Sequence, residues 1–184
     1  MKRRDFLKTT AGVAIGLPQI VPSSALGKDG DVAPSNRITV GCIGVGSRGS
    51  GVFRGFLSLE DVRVVAVCDV NAHQRAAAVR RIDDHYQTTG CEAYHDYRRL
   101  LARDDVDMVI IATPDHWHVV TALAAARAGK DIYLEKPIGV TLAEARALRS
   151  AVKKYGTVFQ FGTQQRSDGR FRQACELVRN GRIG

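Results

Sequence analysis

The sequence predicts an α/β protein of the Rossmann type, a doubly wound parallel sheet with helices on both faces. Three observations lead there. Apolar, β-branched runs alternate with helix-period segments from Arg37 onward. A glycine-spaced turn, GVGSRG at 44–49, follows the first run and opens the first helix. An acidic residue, Asp69, closes the second run.

The elements follow in order. ITVGCIG (38–44) is a short apolar strand ending in glycine, and SRGSGVFRGFLSL (47–59) is helix-like. VRVVAVCDV (62–70) is a second strand. AHQRAAAVRRIDDHY (72–86) is a helix capped by Asn71, with Ala72, Ala76, Val79, Ile82 and Tyr86 on one face. VDMVIIATP (106–114) is nearly continuous in apolar residues, as in a strand covered on both faces. HWHVVTALAAARAGK (116–130) is a helix closed by Gly129, and DIYLEKP (131–137) is another strand. TLAEARALRSAVKKYG (141–156) is a helix with a capping box, Thr141 with Glu144, and a terminal Gly156. Its predicted buried stripe is Leu142, Ala145, Leu148, Val152 and Tyr155. VFQFG (158–162) is the last strand. Short connections in such an alternation imply right-handed βαβ crossovers. The chain stops at CELVRNGRIG, where a helix closes on Gly181, and it is expected to continue into a further domain.

Composition narrows the function class. The chain has 184 residues, 45% hydrophobic and 25% charged, in the globular range. Its net charge of +8 is scattered without a run of like charge, a solvated basic surface rather than a nucleic-acid footprint. No apolar stretch reaches the roughly 18 residues of a membrane span. The cysteines at 42, 68, 91 and 175 form no CxxC pair, and their spacings do not outline a disulfide framework. Cys42 and Cys68 sit within apolar strands and read as buried thiols.

The first 33 residues read as an address and linker rather than as fold. Arg3-Arg4 precedes Asp5-Phe6-Leu7-Lys8, an apolar run from Thr9 to Ile20, and the small residues Ser23, Ser24 and Ala25. This pattern resembles a twin-arginine export signal, which implies the twin-arginine machinery as partner and a periplasmic or otherwise exported location.

The chemistry-bearing residues gather at strand ends. In Gly44-Val45-Gly46-Ser47-Arg48-Gly49, the first glycine permits a tight turn and the second lets backbone approach a pyrophosphate. The third lets helix and strand pack closely. The helix N-terminus adds free N–H groups and positive dipole. Asp69 lies 25 residues after Gly44. Its carboxylate would accept from adenosine ribose hydroxyls and repel a 2′-phosphate, favouring NAD over NADP.

With Thr113-Pro114-Asp115-His116-Trp117-His118 and Glu135-Lys136-Pro137 added, the chain resembles the Gfo/Idh/MocA family. GTQQRS (162–167) also has a familial look. The resemblance runs from about Arg37 to the end. It implies an NAD(P)-binding domain over 34–167, with 168–184 beginning the connection to an α+β substrate domain. That domain would bring an aspartate and a histidine to catalysis and a sheet through which family members often pair. The implied activity is hydride transfer between a nicotinamide and a sugar, cyclitol or related polyol. Two alternatives are a glycoside hydrolase that oxidises its sugar transiently and a non-catalytic sugar- or nucleotide-binding protein. Lys136 is the implied catalytic residue, holding or relaying the hydroxyl proton. A cis peptide before Pro137 is a family trait that would fix its direction. Thr113, Pro114, His118 and Glu135 are implied around the cofactor, beside Gly44 to Gly49 and Asp69. His116 and His118, at i and i+2, face apart on a helix, and no metal is assigned. Trp117 reads equally as nicotinamide neighbour or core, and Arg166 as site residue or surface arginine. His85 and His95 are not substitutes for the family's histidine. Export of a folded protein would let NAD load in the cytoplasm, so the cofactor is expected to be held tightly.

Overall fold

The computed structural model describes residues 32–183, and residues 1–31 of the expected export signal lie outside them. The chain divides into two units, Met1–Arg37 and Ile38–Gly184, and the sheet belongs to the second.

Six parallel strands form the sheet: β1 Ile38–Ile43, β2 Val62–Cys68, β3 Glu92–Tyr94, β4 Met108–Ile111, β5 Asp131–Glu135 and β6 Phe159–Gly162. Their order is β3-β2-β1-β4-β5-β6, with all pairs parallel. This is the doubly wound order, and the winding reverses between β1 and β4. The helices are α1 Ser47–Leu57, α2 Ala72–Tyr86, α3 Tyr97–Leu101, α4 Asp115–Arg127, α5 Leu142–Tyr155 and α6 Gly169–Arg179.

Strand alternation divides the core between the two sheet faces. Val40 and Cys42 of β1 pack with Val64, Ile110, Phe53 and Leu57 of α1, and Ile82 of α2. Ile43 points the other way, with Val109, Ile111, Ile132 and Leu134, against α4 and α3. Ala122, Ala125 and Ala126 of α4 are fully buried, and their small side chains let that helix lie close on the central strands. Cys42 and Cys68 are buried free thiols, as expected.

Two predicted faces need correction. On α2 the buried positions are Ala78 and Ile82, with Val79 and Tyr86 half-buried, whereas Ala72 and Ala76 are exposed. The helix meets the sheet core with its second half, so Ala72 and Ala76 in its first turns stay in solvent. On α5 only Leu148 is buried, and Leu142 and Tyr155 are exposed at 67% and 41%. This helix leans on α4 more than on the sheet, which narrows its covered stripe. The strands also stop earlier than their apolar runs, at Cys68, Ile111 and Glu135. The residues just past each strand are therefore free to leave the ladder and form a site.

Candidate functional site

The site lies at the carboxyl edge of the sheet, where β1, β2, β4 and β5 end side by side. Gly44 leaves β1 at φ +81°, and its N–H donates to the Cys68 carbonyl at 2.8 Å. A Cβ here would meet the Ala112 carbonyl oxygen at 2.6 Å, so only glycine fits. A Cβ on Gly49 would overlap the Gly44 carbonyl oxygen, the close helix–strand approach that its spacing predicts. Gly46 differs, because a Cβ there would meet nothing within 4 Å. It caps α1 without a side-chain hydrogen bond, so no cap occupies the first N–H groups of the helix, and the space beside Gly46 is open. That opening, with backbone donors and positive dipole beneath it, fits a dinucleotide diphosphate.

Asp69 has two tasks. Its Oδ2 accepts from the Val45 N–H at 2.9 Å and its Oδ1 from the Asn71 N–H at 2.9 Å. The carboxylate thus pins the glycine turn to the end of β2, a role sequence spacing did not reveal. Two of its roughly four lone-pair positions remain for ribose hydroxyls. A cleft of about 340 Å³ opens beside it, lined by Gly44, Asp69, His95, Thr113, Pro114 and Trp117 among others. Trp117 is 44% exposed and faces this cleft, so it is no core residue. The Thr113 Oγ1 is buried without a hydrogen-bond partner, a donor and acceptor left for a ligand at the cleft wall.

His118 and Glu135 are buried instead of lining the cleft, at 1% and 2% exposure. The imidazole of His118 bridges two turns, its Nε2 2.9 Å from the Thr113 carbonyl oxygen and its Nδ1 2.5 Å from that of Pro137. Glu135 accepts from Arg48 Nη2 at 2.8 Å, Gln164 Nε2 at 2.5 Å and the Lys136 N–H at 3.2 Å. The Glu135 hydrogen bond raises the Arg48 pKa, keeping the guanidinium charged. Lys136 itself is exposed, and no hydrogen bond or ion pair to its ammonium is present among the described residues. The Lys136–Pro137 peptide is cis. Arg166 is exposed in the turn after β6.

The topology therefore brings Gly44, Asp69, Thr113 and Pro114 to one cleft, with the rest of the glycine turn leading from Gly44 into α1 and Lys136 just past β5. Sequence reasoning missed His95, Tyr97 and Arg98 on the cleft rim and Gln164 on Glu135. The rim residues follow β3 or begin α3, whose three and five residues are too short for a periodic signal.

A six-stranded, doubly wound sheet with a glycine turn at its switch point defines a dinucleotide-binding Rossmann domain. Residues 38–163 match the family described as "Oxidoreductase family, NAD-binding Rossmann fold", Gfo/Idh/MocA, and the chain belongs to that family. NAD is thus the family's cofactor, as Asp69 leads one to expect. Among curated relatives, a "Glycosyl hydrolase family 109 protein" of Saccharopolyspora erythraea is 36% identical over 158 residues, covering 77% of this chain and 34% of its own length. An "Alpha-N-acetylgalactosaminidase" of Shewanella oneidensis is 35% identical over 161 residues, with 77% and 35% covered. The chain thus spans about a third of the length of these relatives. Among solved structures, scyllo-inositol dehydrogenase from Lactobacillus casei, with bound NAD(H) and scyllo-inositol, superposes with a TM-score of 0.69 at 25% identity. It covers 80% of this chain and 42% of its own. Myo-inositol 2-dehydrogenase from Lactobacillus plantarum gives 0.68 at 25%, with the same coverages.

Proposed function

We propose that the chain binds NAD tightly and works in hydride transfer at a hydroxyl-bearing carbon of a sugar, cyclitol or related polyol. The observation that carries this reading is the start of α1 at Gly46, uncapped by any side chain, which directly follows Gly44 on the wall of the Asp69–Thr113 cleft, with Lys136 just past β5 at the same carboxyl edge of the sheet. NAD, when bound, supplies the hydride acceptor. The chain's own residues do the rest. The N-terminus of α1 holds the diphosphate through backbone N–H groups, and Asp69 holds the adenosine ribose. Thr113 offers its unpartnered hydroxyl to the ligand. Lys136, exposed and without a carboxylate partner among the described residues, is the group placed to take the hydroxyl proton as the carbon–hydrogen bond breaks.

A second reading is favoured by the curated relatives, several of which are named as glycosyl hydrolases at 33–37% identity. In that reading the sugar hydroxyl is oxidised, the leaving group departs by elimination, water adds at the vacated carbon and the hydride returns from the cofactor, so the net reaction is hydrolysis. Export by the twin-arginine route belongs to the same proposal, because a cofactor restored in every cycle can serve where free NAD is scarce.

The protein purified from the exported compartment without added nucleotide tests this. Denaturation followed by mass spectrometry is expected to release stoichiometric NAD. Release of NADP would overturn the reading of Asp69, and absence of nucleotide would overturn tight retention. Given an N-acetylgalactosaminide, sugar release without NADH build-up at 340 nm selects the hydrolytic reading. NADH build-up with a free polyol selects ordinary dehydrogenation.

A further inference from the structure

Arg48 lies in the second position of α1, where a guanidinium beside the glycine turn would ordinarily be read as a phosphate ligand. Its side chain is committed elsewhere. It reaches the end of β5 and pairs with Glu135, whose side chain is 3% exposed against 53% for Arg48. A buried carboxylate demands such a partner, because unpaired charge in the interior is strongly unfavourable. Gln164, from the turn after β6, donates to the same Oε1 and is also within 3.3 Å of the Tyr133 hydroxyl. The other oxygen, Oε2, accepts from the backbone of Lys136. One carboxylate is therefore held by three elements: the phosphate-turn helix, the Lys136 turn and the segment after β6.

We propose that Arg48 and Gln164 are positioning residues that, through buried Glu135, couple the phosphate-binding end of α1 to the Lys136 turn. The dinucleotide is then gripped at its diphosphate and its nicotinamide ends in one fixed geometry. The pair also offsets the Glu135 charge, so the Lys136 side chain stays free for the ligand and does not pair with its sequence neighbour. This inference rests on the NAD reading above. It adds that the coupling serves the nicotinamide half alone, since the diphosphate is held by backbone N–H groups and the adenosine by the cleft at Asp69.

Two nucleotides separate this role from a structural one. ADP carries the diphosphate and adenosine, while NADH adds the nicotinamide riboside. The 184 residues hold a single tryptophan, Trp117, on the cleft, and energy transfer from it to NADH reads binding directly, with ADP measured by displacement. Arg48→Met is expected to weaken NADH about tenfold, the scale of one lost charge-assisted interaction, and to leave ADP within about twofold. Gln164→Leu, which keeps the ion pair, is expected to show the same selective loss in smaller measure, so the test survives if Arg48→Met fails to fold. Arg48→Lys is expected to restore most NADH affinity. Parallel losses of ADP and NADH, or no loss of either, in a protein whose wild type binds both would overturn the coupling alone. A wild type that binds neither nucleotide would overturn the NAD reading and the coupling with it.

Discussion

Gly46 and Gly49 share a motif but have opposite surroundings, and single substitutions distinguish them. Gly49→Ala drives a methyl into the Gly44 carbonyl, so the turn must move. The expected outcome is a clear loss of thermal stability together with loss of NADH binding. Gly46→Ala meets nothing within 4 Å, and its φ of −62° suits alanine. Here the melting temperature is expected to stay within a few degrees of wild type while NADH affinity falls, because the methyl occupies the space left for the diphosphate. Paired melting curves and NADH titrations check both. If Gly46→Ala binds NADH normally, the diphosphate does not sit against this glycine. Asp69 carries a double role at the same scale. Spacing identifies it as a ribose acceptor, but its hydrogen bond to Val45 also makes it a brace for the turn.

Among the elements, α5 shows how local sequence and tertiary packing divide the work. Its start is set by chemistry within four residues. The Thr141 side chain accepts from the Glu144 N–H, and the Glu144 carboxylate accepts from the Thr141 N–H at 2.9 Å. Gly156 ends the helix in a left-handed conformation at φ +67°. Thr141→Ala is expected to cost about 1 kcal/mol in chemical denaturation, with little effect on nucleotide binding. A larger effect on binding would mean that this helix start bears on the neighbouring Lys136 turn. The stripe of α5 is less legible, because periodicity locates an apolar face without saying how much of it a partner covers. Leu142 belongs to that face by spacing and is nonetheless exposed.

The folded molecule sets the reactivity of its cysteines. Burial pushes the Cys68 and Cys91 thiols up to about 12, and burial raises Cys42 further. At pH 8 these three hold almost no thiolate, which is the nucleophilic form. Cys175 is exposed on α6. Iodoacetamide at pH 8 is therefore expected to modify one cysteine quickly, at position 175, and the other three only on unfolding. Peptide mass spectrometry over a time course reads this directly. Rapid modification of Cys68 would mean that the end of β2 opens in solution.

By itself the sequence determined the α/β class, the glycine turn at 44–49, Asp69 at the second strand end and Lys136 beside Pro137. The first three rest on local chemistry, namely alternation of apolar runs, glycine spacing and an acid just past a strand, whereas Lys136 is singled out by the resemblance to the family. Only the tertiary structure decided the strand order and the brief β3–α3 step that brings His95 and Arg98 to the cleft. It also decided the partner of Glu135. Arg48 and Glu135 stand 87 residues apart, and no periodicity links them. They meet because β1 and β5 both flank β4 in a parallel sheet, which carries the start of α1 and the end of β5 to the same edge, where the Arg48 guanidinium offsets the charge of the buried carboxylate.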